Sequence, residues 1–370
     1  MLKVIEIEPS NSCNIKCEMC HVNFMRNVNM QFIDIETVNK IAKFTNNHII
    51  NIGAAFEPTI HPQISKIIKS FSKVKNLISL TTNAVKVTDE FLESIKNNKH
   101  IDKIHISFDS ADKNIYESIR KGAKFDKVIK NIKNISLAIH SSTSLRMNVV
   151  LMKKNIDGII DIINLCEDLG IEHIGFIVMS VRELDERLLE QSLYNDIKDV
   201  KNRLKEAAEY IIKNNKPLSI SSALFNNYLE LKKEYPNNFY KNICYSNHPK
   251  SKVVDNKVNE VQRENIPKKM YVSCSSPWTF VRVDASANVI LCYKYTIGNL
   301  KKEDLETIIS SYKAETIRDY IIQNQNECLK CDFYKFCIKS PEVDFENKEN
   351  FFSKKILERE SKKIESIING

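Results

Sequence analysis

The sequence predicts an α/β protein in which a partial (β/α)6 TIM-like barrel precedes a small C-terminal α+β domain rich in cysteine. Short β-branched runs alternate with helix-period segments over the first 180 residues. This repetition implies parallel strands joined by crossover helices, with the chemistry at the carboxyl ends of the strands. The ten cysteines are unevenly placed, since three lie at 13–20 and five at 274–337.

Six strands and five helices account for the repeat, and residues 1–180 are therefore assigned to the barrel core. The predicted strands are Val4–Ile7, His48–Ile52, Leu77–Thr81, Lys103–Phe108, Ser144–Leu151 and His173–Val178. The predicted helices are Ile35–Phe44, Ile64–Phe71, Asp89–Ile95, Phe125–Ile139 and Gly158–Leu169.

Beyond residue 180 the pattern changes twice. One or two charged helices are predicted over Leu184–Asn214, because an apolar face recurs there at helical spacing. A β-hairpin of Thr279–Val283 and Val289–Cys292 precedes a predicted helix at Leu305–Ile322. The predicted segments are a helical or irregular connecting region at 181–269, the cysteine-rich domain at 270–340 and a helical tail at 341–370.

The overall composition and charge exclude some classes of function for this protein. Of the 370 residues 42% are hydrophobic and 28% are charged, as in ordinary globular proteins, and no apolar run is long enough to cross a bilayer. The N-terminus alternates like a strand and lacks a signal sequence, so we expect a cytoplasmic protein with no membrane partner. The net charge of +8 is spread along the chain rather than gathered in a block, and nucleic acid is not expected as a partner.

The most informative motif is Cys13-x3-Cys17-x2-Cys20, which directly follows the first predicted strand. Many cysteines in a cytoplasmic chain favour metal or redox chemistry over disulfides. A 4Fe–4S cluster normally takes four cysteines, so three in one loop would leave one iron open to a small molecule. Two alternatives use the same residues: a zinc site completed by His21, and c-type haem attachment at the C-x-x-C-H of Cys17 to His21.

The motif resembles that of the radical S-adenosylmethionine (SAM) enzymes, and further short motifs follow the later strands in the order of that family. Gly53-Ala-Ala-Phe-Glu57-Pro58 resembles the family's Gly-Gly-Glu-Pro loop, with Ala55 and Phe56 in place of glycines. The resemblance implies that Glu57 holds the SAM amino group and that Ser107 and Asp109 contact its ribose and methionine portions. The residues implied to bind SAM are Glu57, Asn83, Ser107, Asp109, Arg120 and Asn148.

The C-terminal cysteines resemble the twitch and SPASM extensions of this family, which hold auxiliary 4Fe–4S clusters. One auxiliary cluster is implied, because Pro341 stands where a further SPASM cysteine is usual and no cysteine follows Cys337. A structural zinc site is the alternative, and Cys244 is expected to be an idle loop thiol. The implied ligands are Cys274, Cys292, Cys328 and Cys331, with Cys337 as the rival for one position.

The resemblance implies reductive cleavage of SAM to a 5′-deoxyadenosyl radical, which abstracts a hydrogen atom from substrate. A reducing partner such as flavodoxin or ferredoxin is implied as well. One auxiliary cluster, and a cluster motif that begins at Cys13, favour oxidation of a small polyol, sugar or aminocyclitol with that cluster as electron acceptor. The alternatives are SPASM-type modification of a peptide or protein and, more remotely, a non-catalytic iron–sulfur electron carrier. No residue is predicted as the substrate base.

Overall fold

The computed structural model describes residues 2–20, 22, 29–179, 186–193, 196–222, 276–292 and 294–323. The chain divides into two compact units. One comprises Glu6–Ser246 and Asp284–Ser286, and the other comprises Met1–Ile5, Asn247–Val283 and Ala287–Gly370. Several predicted features lie outside the described residues: His21, Cys244, Cys274, Cys328, Cys331, Cys337 and the tail at 341–370.

The larger unit is built on a parallel sheet in the strand order β1-β3-β4-β5-β7-β8-β9. Neighbouring strands from β3 to β9 pair in parallel, as the strand–helix repeat predicted. All six predicted strands are present, so the predicted α/β class is confirmed. The strands are β1 Val4–Ile7, β3 Ile49–Ile52, β4 Leu77–Thr82, β5 Ile101–Ser107, β7 Ser144–Leu151, β8 His173–Val178 and β9 Ser219–Ser222.

A seventh strand, β9, continues the sheet where the sequence predicted a helical or irregular region. Its sequence Ser-Ile-Ser-Ser offers one apolar residue, Ile220, too few to form a recognisable β pattern. The strand is held by parallel pairing with β8, in which Ile174 stands opposite Ile220. Pairing with β8, rather than the local sequence, therefore determines that Ser219–Ser222 forms a strand.

Helices connect the strands, and the five predicted ones are confirmed to within a few residues. Three helices of the larger unit begin at side-chain caps, where Asp34, Thr88 and Asp112 accept hydrogen bonds from backbone N–H groups of the first turn. The helices are α1 Ile35–Phe44, α2 Ile64–Ser72, α3 Asp89–Ile95, α4 Lys113–Ile119, α5 Phe125–Ala138, α6 Ile159–Asp168, α7 Glu186–Leu189 and α8 Ile197–Lys213. No described helix has the length and apolar character needed to span a bilayer.

The sheet has one apolar and one polar face. Along β7 the residues alternate between fully buried and half-buried, so Met147 and Val149 lie on one face and Arg146 and Asn148 on the other. The apolar face packs in the core with buried residues of the helices, such as Ile132 of α5. The polar face therefore carries the side chains that are available for contact with a ligand.

The smaller unit contains an antiparallel meander and short helices. The predicted hairpin is present as β10 Phe280–Val283 and β11 Asn288–Leu291, and β12 Tyr295–Asn299 adds a third strand. The single helix predicted at Leu305–Ile322 is two helices, Leu305–Ile309 and Tyr312–Gln323. The break follows from Ser311, whose hydroxyl accepts a hydrogen bond from the Ala314 N–H and so starts the second helix.

Candidate functional site

The cysteine loop is tied at its middle to the end of α4. Cys17 lies in a two-residue strand, β2 (Lys16–Cys17), which pairs antiparallel with β6 (Arg120–Lys121) and places Cys17 opposite Arg120. Cys17 is buried, whereas Cys13 and Cys20 are half-buried. Burial raises the pKa of the Cys17 thiol to about 11, and the charges of nearby Cys20 and Cys13 act in the same direction. The three thiols therefore share one neighbourhood.

Two N–H donors point at this loop's sulfur atoms. Arg120 Nη1 lies 3.8 Å from Cys17 Sγ, and Asn83 Nδ2 lies 3.6 Å from Cys13 Sγ. Hydrogen bonds and positive charge at sulfur favour the thiolate, which is the form that binds metal. Asn83 also donates to Asn14 Oδ1 at 2.8 Å, so it orients the loop as well as the sulfur.

The donor set fits an iron–sulfur cluster better than a single ion. Among the residues that the structure describes, no three His, Cys, Asp or Glu side chains converge closely enough to hold one metal ion. A tetrahedral zinc needs every sulfur within about 2.3 Å of one atom. A cubane instead takes each cysteine at a separate iron, which spreads the sulfur atoms apart.

The Glu57 carboxylate accepts hydrogen bonds from four protein donors, three on Oε1 and one on Oε2. Its Oε1 accepts from the Thr59 N–H at 3.0 Å and from the hydroxyls of Thr59 and Thr82, each at 2.7 Å. Its Oε2 accepts from the Asn83 N–H at 2.7 Å. The buried Glu57 side chain therefore fixes the end of β4, and its contact with the SAM amino group stays a prediction.

Glu8, which the sequence analysis did not single out, shapes the loop before Glu57. Its carboxylate accepts hydrogen bonds from the N–H groups of Ala54, Ala55 and Phe56 at 2.8 to 3.3 Å. Glu8 is buried and follows directly after the apolar strand β1. Two glutamates two residues apart, Glu6 and Glu8, in an otherwise apolar run were the available signal.

The same loop shows which of its positions requires glycine. Gly53 has a φ of +74°, and a Cβ there would lie 2.7 Å from the Pro58 ring. Ala54 and Ala55 keep negative φ values, since neither is among the residues with positive φ. The alanines at these positions are therefore compatible with the loop.

Asp109 and Arg120, both predicted to bind SAM, form a buried ion pair. Arg120 Nε lies 2.8 Å from Asp109 Oδ2, and the two side chains are 6% and 0% exposed. The other carboxylate oxygen of Asp109 accepts from the Val150 N–H at 2.8 Å. The hydroxyl of Tyr116 is also buried, with no hydrogen-bond partner among the described residues. Arg120 Nη1 also lies 3.8 Å from Cys17 Sγ, so the ion pair is buried beside the cysteine loop, and contact of Asp109 and Arg120 with SAM stays a prediction.

Ser107 and Asn148 remain accessible for ligand contact. They stand opposite each other in the β5–β7 pairing, on the polar face at the carboxyl end of the sheet, and both are half-buried. Asn148 in turn stands opposite Gly175 of β8. A Cβ at Gly175 would lie 3.1 Å from Asn148 Oδ1, so this glycine leaves room for the amide.

A second polar row, not predicted from the sequence, crosses the same face one step toward the start of the strands. His173 is hydrogen-bonded through Nδ1 to Ser219 at 2.8 Å and through Nε2 to Ser221 at 2.9 Å. Burial, with Arg146 nearby, lowers the pKa of His105 to about 4 and that of His173 to about 3. Both imidazoles are therefore neutral at neutral pH.

In the smaller unit, Cys292 is the only predicted cluster ligand within the part of the chain that the structure describes. It follows β11 with a φ of +52° and is half-buried. Arg318 donates to the carbonyls of Pro277 at 3.0 Å and Ile309 at 2.9 Å and lies within electrostatic range of the Cys292 thiol. A cation thus stands near this cysteine too.

Comparison with known families agrees with the two-part organisation. Residues 7–166 match the Radical SAM superfamily, and residues 274–332 match an iron–sulfur cluster-binding domain named SPASM. A probable GTP 3′,8-cyclase of Methanocaldococcus jannaschii is 29% identical over 222 residues, which are 58% of this chain and 70% of the relative. A tungsten-containing aldehyde ferredoxin oxidoreductase cofactor-modifying protein of Pyrococcus furiosus is 23% identical over 178 residues, 46% of this chain and 50% of its own.

Solved structures share the fold. SuiB of Streptococcus suis, bound to S-adenosylmethionine, aligns with a TM-score of 0.61 and 18% identity, covering 91% of this chain and 72% of SuiB. The protein anSMEcpe, bound to AdoMet and a peptide called Cp18Cys, aligns with a TM-score of 0.61 and 16% identity, covering 100% of this chain and 99% of its own. At such low identity the likeness is one of fold.

Proposed function

This chain is a radical SAM protein with a C-terminal SPASM domain, and we propose that it modifies a peptide or protein by abstracting a hydrogen atom. The reaction requires a SAM-binding 4Fe–4S cluster, S-adenosylmethionine and an auxiliary iron–sulfur cluster. The observation that carries the proposal is the cysteine loop, in which three cysteines share one neighbourhood and two of them face N–H donors.

We assign the chain's residues to that chemistry as follows. Cys13, Cys17 and Cys20 would hold the cluster, and Ser107 with Asn148 would contact SAM from the polar face. When bound and reduced, the cluster and SAM together supply a 5′-deoxyadenosyl radical, chemistry that belongs to the cofactors rather than to the protein. The chain contributes orientation: Glu8 and Glu57 hold the turns around the site through backbone N–H groups, and Asn83 orients the cysteine loop.

The auxiliary cluster is assigned to the cysteines of the smaller unit. Cys292 stands at a tight turn after β11, where its thiol is half-buried and close to Arg318. Cys274, Cys328 and Cys331 would complete the set, with Cys337 as the rival, although these four lie outside the described residues. A flavodoxin or ferredoxin would supply the reducing electron.

Peptide modification is favoured over the polyol, sugar or aminocyclitol oxidation that the sequence predicted first. The structures named above include one with a bound peptide, and its coverage spans both chains almost completely. Nothing in the comparisons supports oxidation of a small polyol. Nucleotide cyclisation is a second candidate, because the probable GTP 3′,8-cyclase is 29% identical over 58% of this chain.

The test is SAM cleavage by anaerobically reconstituted protein with dithionite, followed as methionine and 5′-deoxyadenosine. We expect cleavage by the wild type, none by Cys17→Ala, and cleavage retained by Cys166→Ala, a matched loss of a buried thiol far along the chain. Folded, iron-loaded wild type that leaves SAM intact contradicts the proposal and favours an electron carrier.

The class of substrate is then identified by the transfer of deuterium from a labelled substrate to 5′-deoxyadenosine. Peptides encoded beside this gene, GTP and a panel of aminocyclitols are each supplied in deuterated form. Deuterium in 5′-deoxyadenosine with a peptide alone supports the proposal, whereas transfer from GTP or from a cyclitol replaces the peptide with that substrate.

A further inference from the structure

We propose that the buried Arg120–Asp109 pair sets the reduction potential of the cluster held by Cys17, with Arg120 raising it and Asp109 lowering it. This inference rests on the proposed function, because it requires a cluster on the Cys13–Cys20 loop. Arg120 acts through the cysteine sulfur and is thus a positioning residue rather than a catalytic one.

Local backbone structure brings the cation to the sulfur. The β2–β6 pairing places Arg120 directly opposite Cys17, and the Glu18 N–H donates to the Ile119 carbonyl at 2.8 Å beside it. Gly122, with a φ of +99°, brings this segment against Ile15, since a Cβ on the glycine would lie 3.6 Å from it. The loop and the end of α4 are therefore held together on both sides of Cys17.

Asp109 lies against the Nε side of the guanidinium. One oxygen of its carboxylate is 2.8 Å from Arg120 Nε, an ion pair without hydrogen-bond geometry, and the other accepts from the Val150 N–H at 2.8 Å. Its backbone carbonyl accepts from Asn155 Nδ2 at 2.8 Å, so Asp109 itself is held in place. On the other side of the ion pair, Nη1 donates toward Cys17 Sγ, 3.8 Å away.

The electrostatic consequence has a definite sign. A guanidinium is charged at every accessible pH, and burial removes the water that would screen it. Reduction adds negative charge to a cluster, so a cation beside a ligand sulfur favours the reduced form. Asp109 opposes this effect, but its charge acts on Cys17 less strongly than that of Arg120, so Arg120 dominates. Hydrogen bonds and charge at cluster sulfurs are established determinants of potential.

The test is an anaerobic redox titration of the full-length reconstituted protein, monitored by the part of the EPR signal that changes when SAM is added. Three variants are compared with the wild type: Arg120→Gln, Arg120→Lys and Asp109→Asn. The control is Lys113→Gln at the start of α4, which makes the same charge change in an exposed ion pair with Asp126 of α5.

We expect Arg120→Gln to reduce the equilibrium constant for reduction at least tenfold, a fall of about 59 mV for one electron. Asp109→Asn should shift the potential in the opposite direction, Arg120→Lys should lie between wild type and Arg120→Gln, and Lys113→Gln should not shift it. Opposite shifts from two halves of one ion pair are not produced by loosened structure, which affects both variants alike.

Shifts in the same direction, or none, in variants that retain iron overturn the inference. If Arg120→Gln does not retain iron, Asp109→Asn decides alone, because the inference requires its potential to rise. Failure of the proposed function is distinguishable, since the wild type would then show no SAM-sensitive signal at all.

Discussion

Carboxylates at this site serve as supports whose oxygen atoms are already occupied. Glu8, Glu57 and Asp109 are each buried, and each accepts at least one hydrogen bond from a backbone N–H. Charge-assisted hydrogen bonds of this kind are the stronger ones in proteins. A side chain in this state orders the backbone around the site.

Glu57→Gln should therefore destabilise the fold as well as the site. Each carboxylate oxygen receives a backbone N–H, so either orientation of the glutamine amide sets an NH2 against a donor. We expect the free energy of unfolding to fall by about 2 kcal/mol, the scale of a hydrogen bond to a charged group. Chemical denaturation of the iron-free protein measures this directly.

Thr82→Val is the comparison for that change, since it removes one hydroxyl donor to Glu57 and the acceptor of the Ala84 N–H but leaves the carboxylate in place. If Glu57→Gln is no less stable than Thr82→Val, the carboxylate is not the support that we describe.

Gly53→Ala should be more damaging than its small size suggests. The new Cβ would meet the Pro58 ring at 2.7 Å in a backbone conformation that L-residues avoid. We expect a loss of about 2 kcal/mol or more and weaker iron retention, measured by denaturation and by iron analysis after reconstitution. Ala54→Gly is the matched change in the same loop and should leave iron retention unaltered.

At the scale of elements, the sequence predicts what local pattern controls and misses what distant pairing controls. Strands such as Ser144–Leu151 are β-branched, alternating runs and were predicted at their observed bounds. Strand β9 was missed because Ser-Ile-Ser-Ser is held by β8 rather than by its own composition. The contact between Arg120 and Cys17 was missed for the same reason, since the pairing of β2 with β6 joins residues about a hundred positions apart.

The β8–β9 pair makes stability depend on pH. Burial lowers the pKa of His173 to about 3, below the ordinary value of 6.5 that it regains on unfolding. Between these values the unfolded chain binds the additional proton, so the free energy of unfolding falls as the pH falls below 6.5. We expect this slope to be less steep in His173→Asn by about 1 kcal/mol per pH unit between pH 6.0 and 5.0.

Denaturant titrations at several pH values measure that difference. Carboxylates titrate equally in wild type and His173→Asn, so their contribution to the pH dependence of the free energy of unfolding cancels when the two proteins are compared. Curves for wild type and His173→Asn that run parallel across this window would show that His173 is not buried in its neutral form.

At the scale of the whole molecule, the cysteines divide between two units that match different families. The loop with Cys13, Cys17 and Cys20 lies in the larger unit, and Cys292 lies in the smaller one. Under the proposed ligand assignment each unit supplies its own ligands, so loss of one cluster should leave the other intact. This independence gives the most direct test of the organisation.

The triple variant Cys13→Ala, Cys17→Ala, Cys20→Ala, reconstituted anaerobically, should keep about four irons and four sulfides per chain, the content of one cubane. Adding Cys292→Ala should remove most of that iron, because a cubane requires four protein ligands when no small molecule completes it. Cys166→Ala in the same background should leave the content unchanged. Iron near zero with zinc bound in the triple variant would instead make the smaller unit a structural zinc domain, since four thiolates in a closed set are a common zinc site.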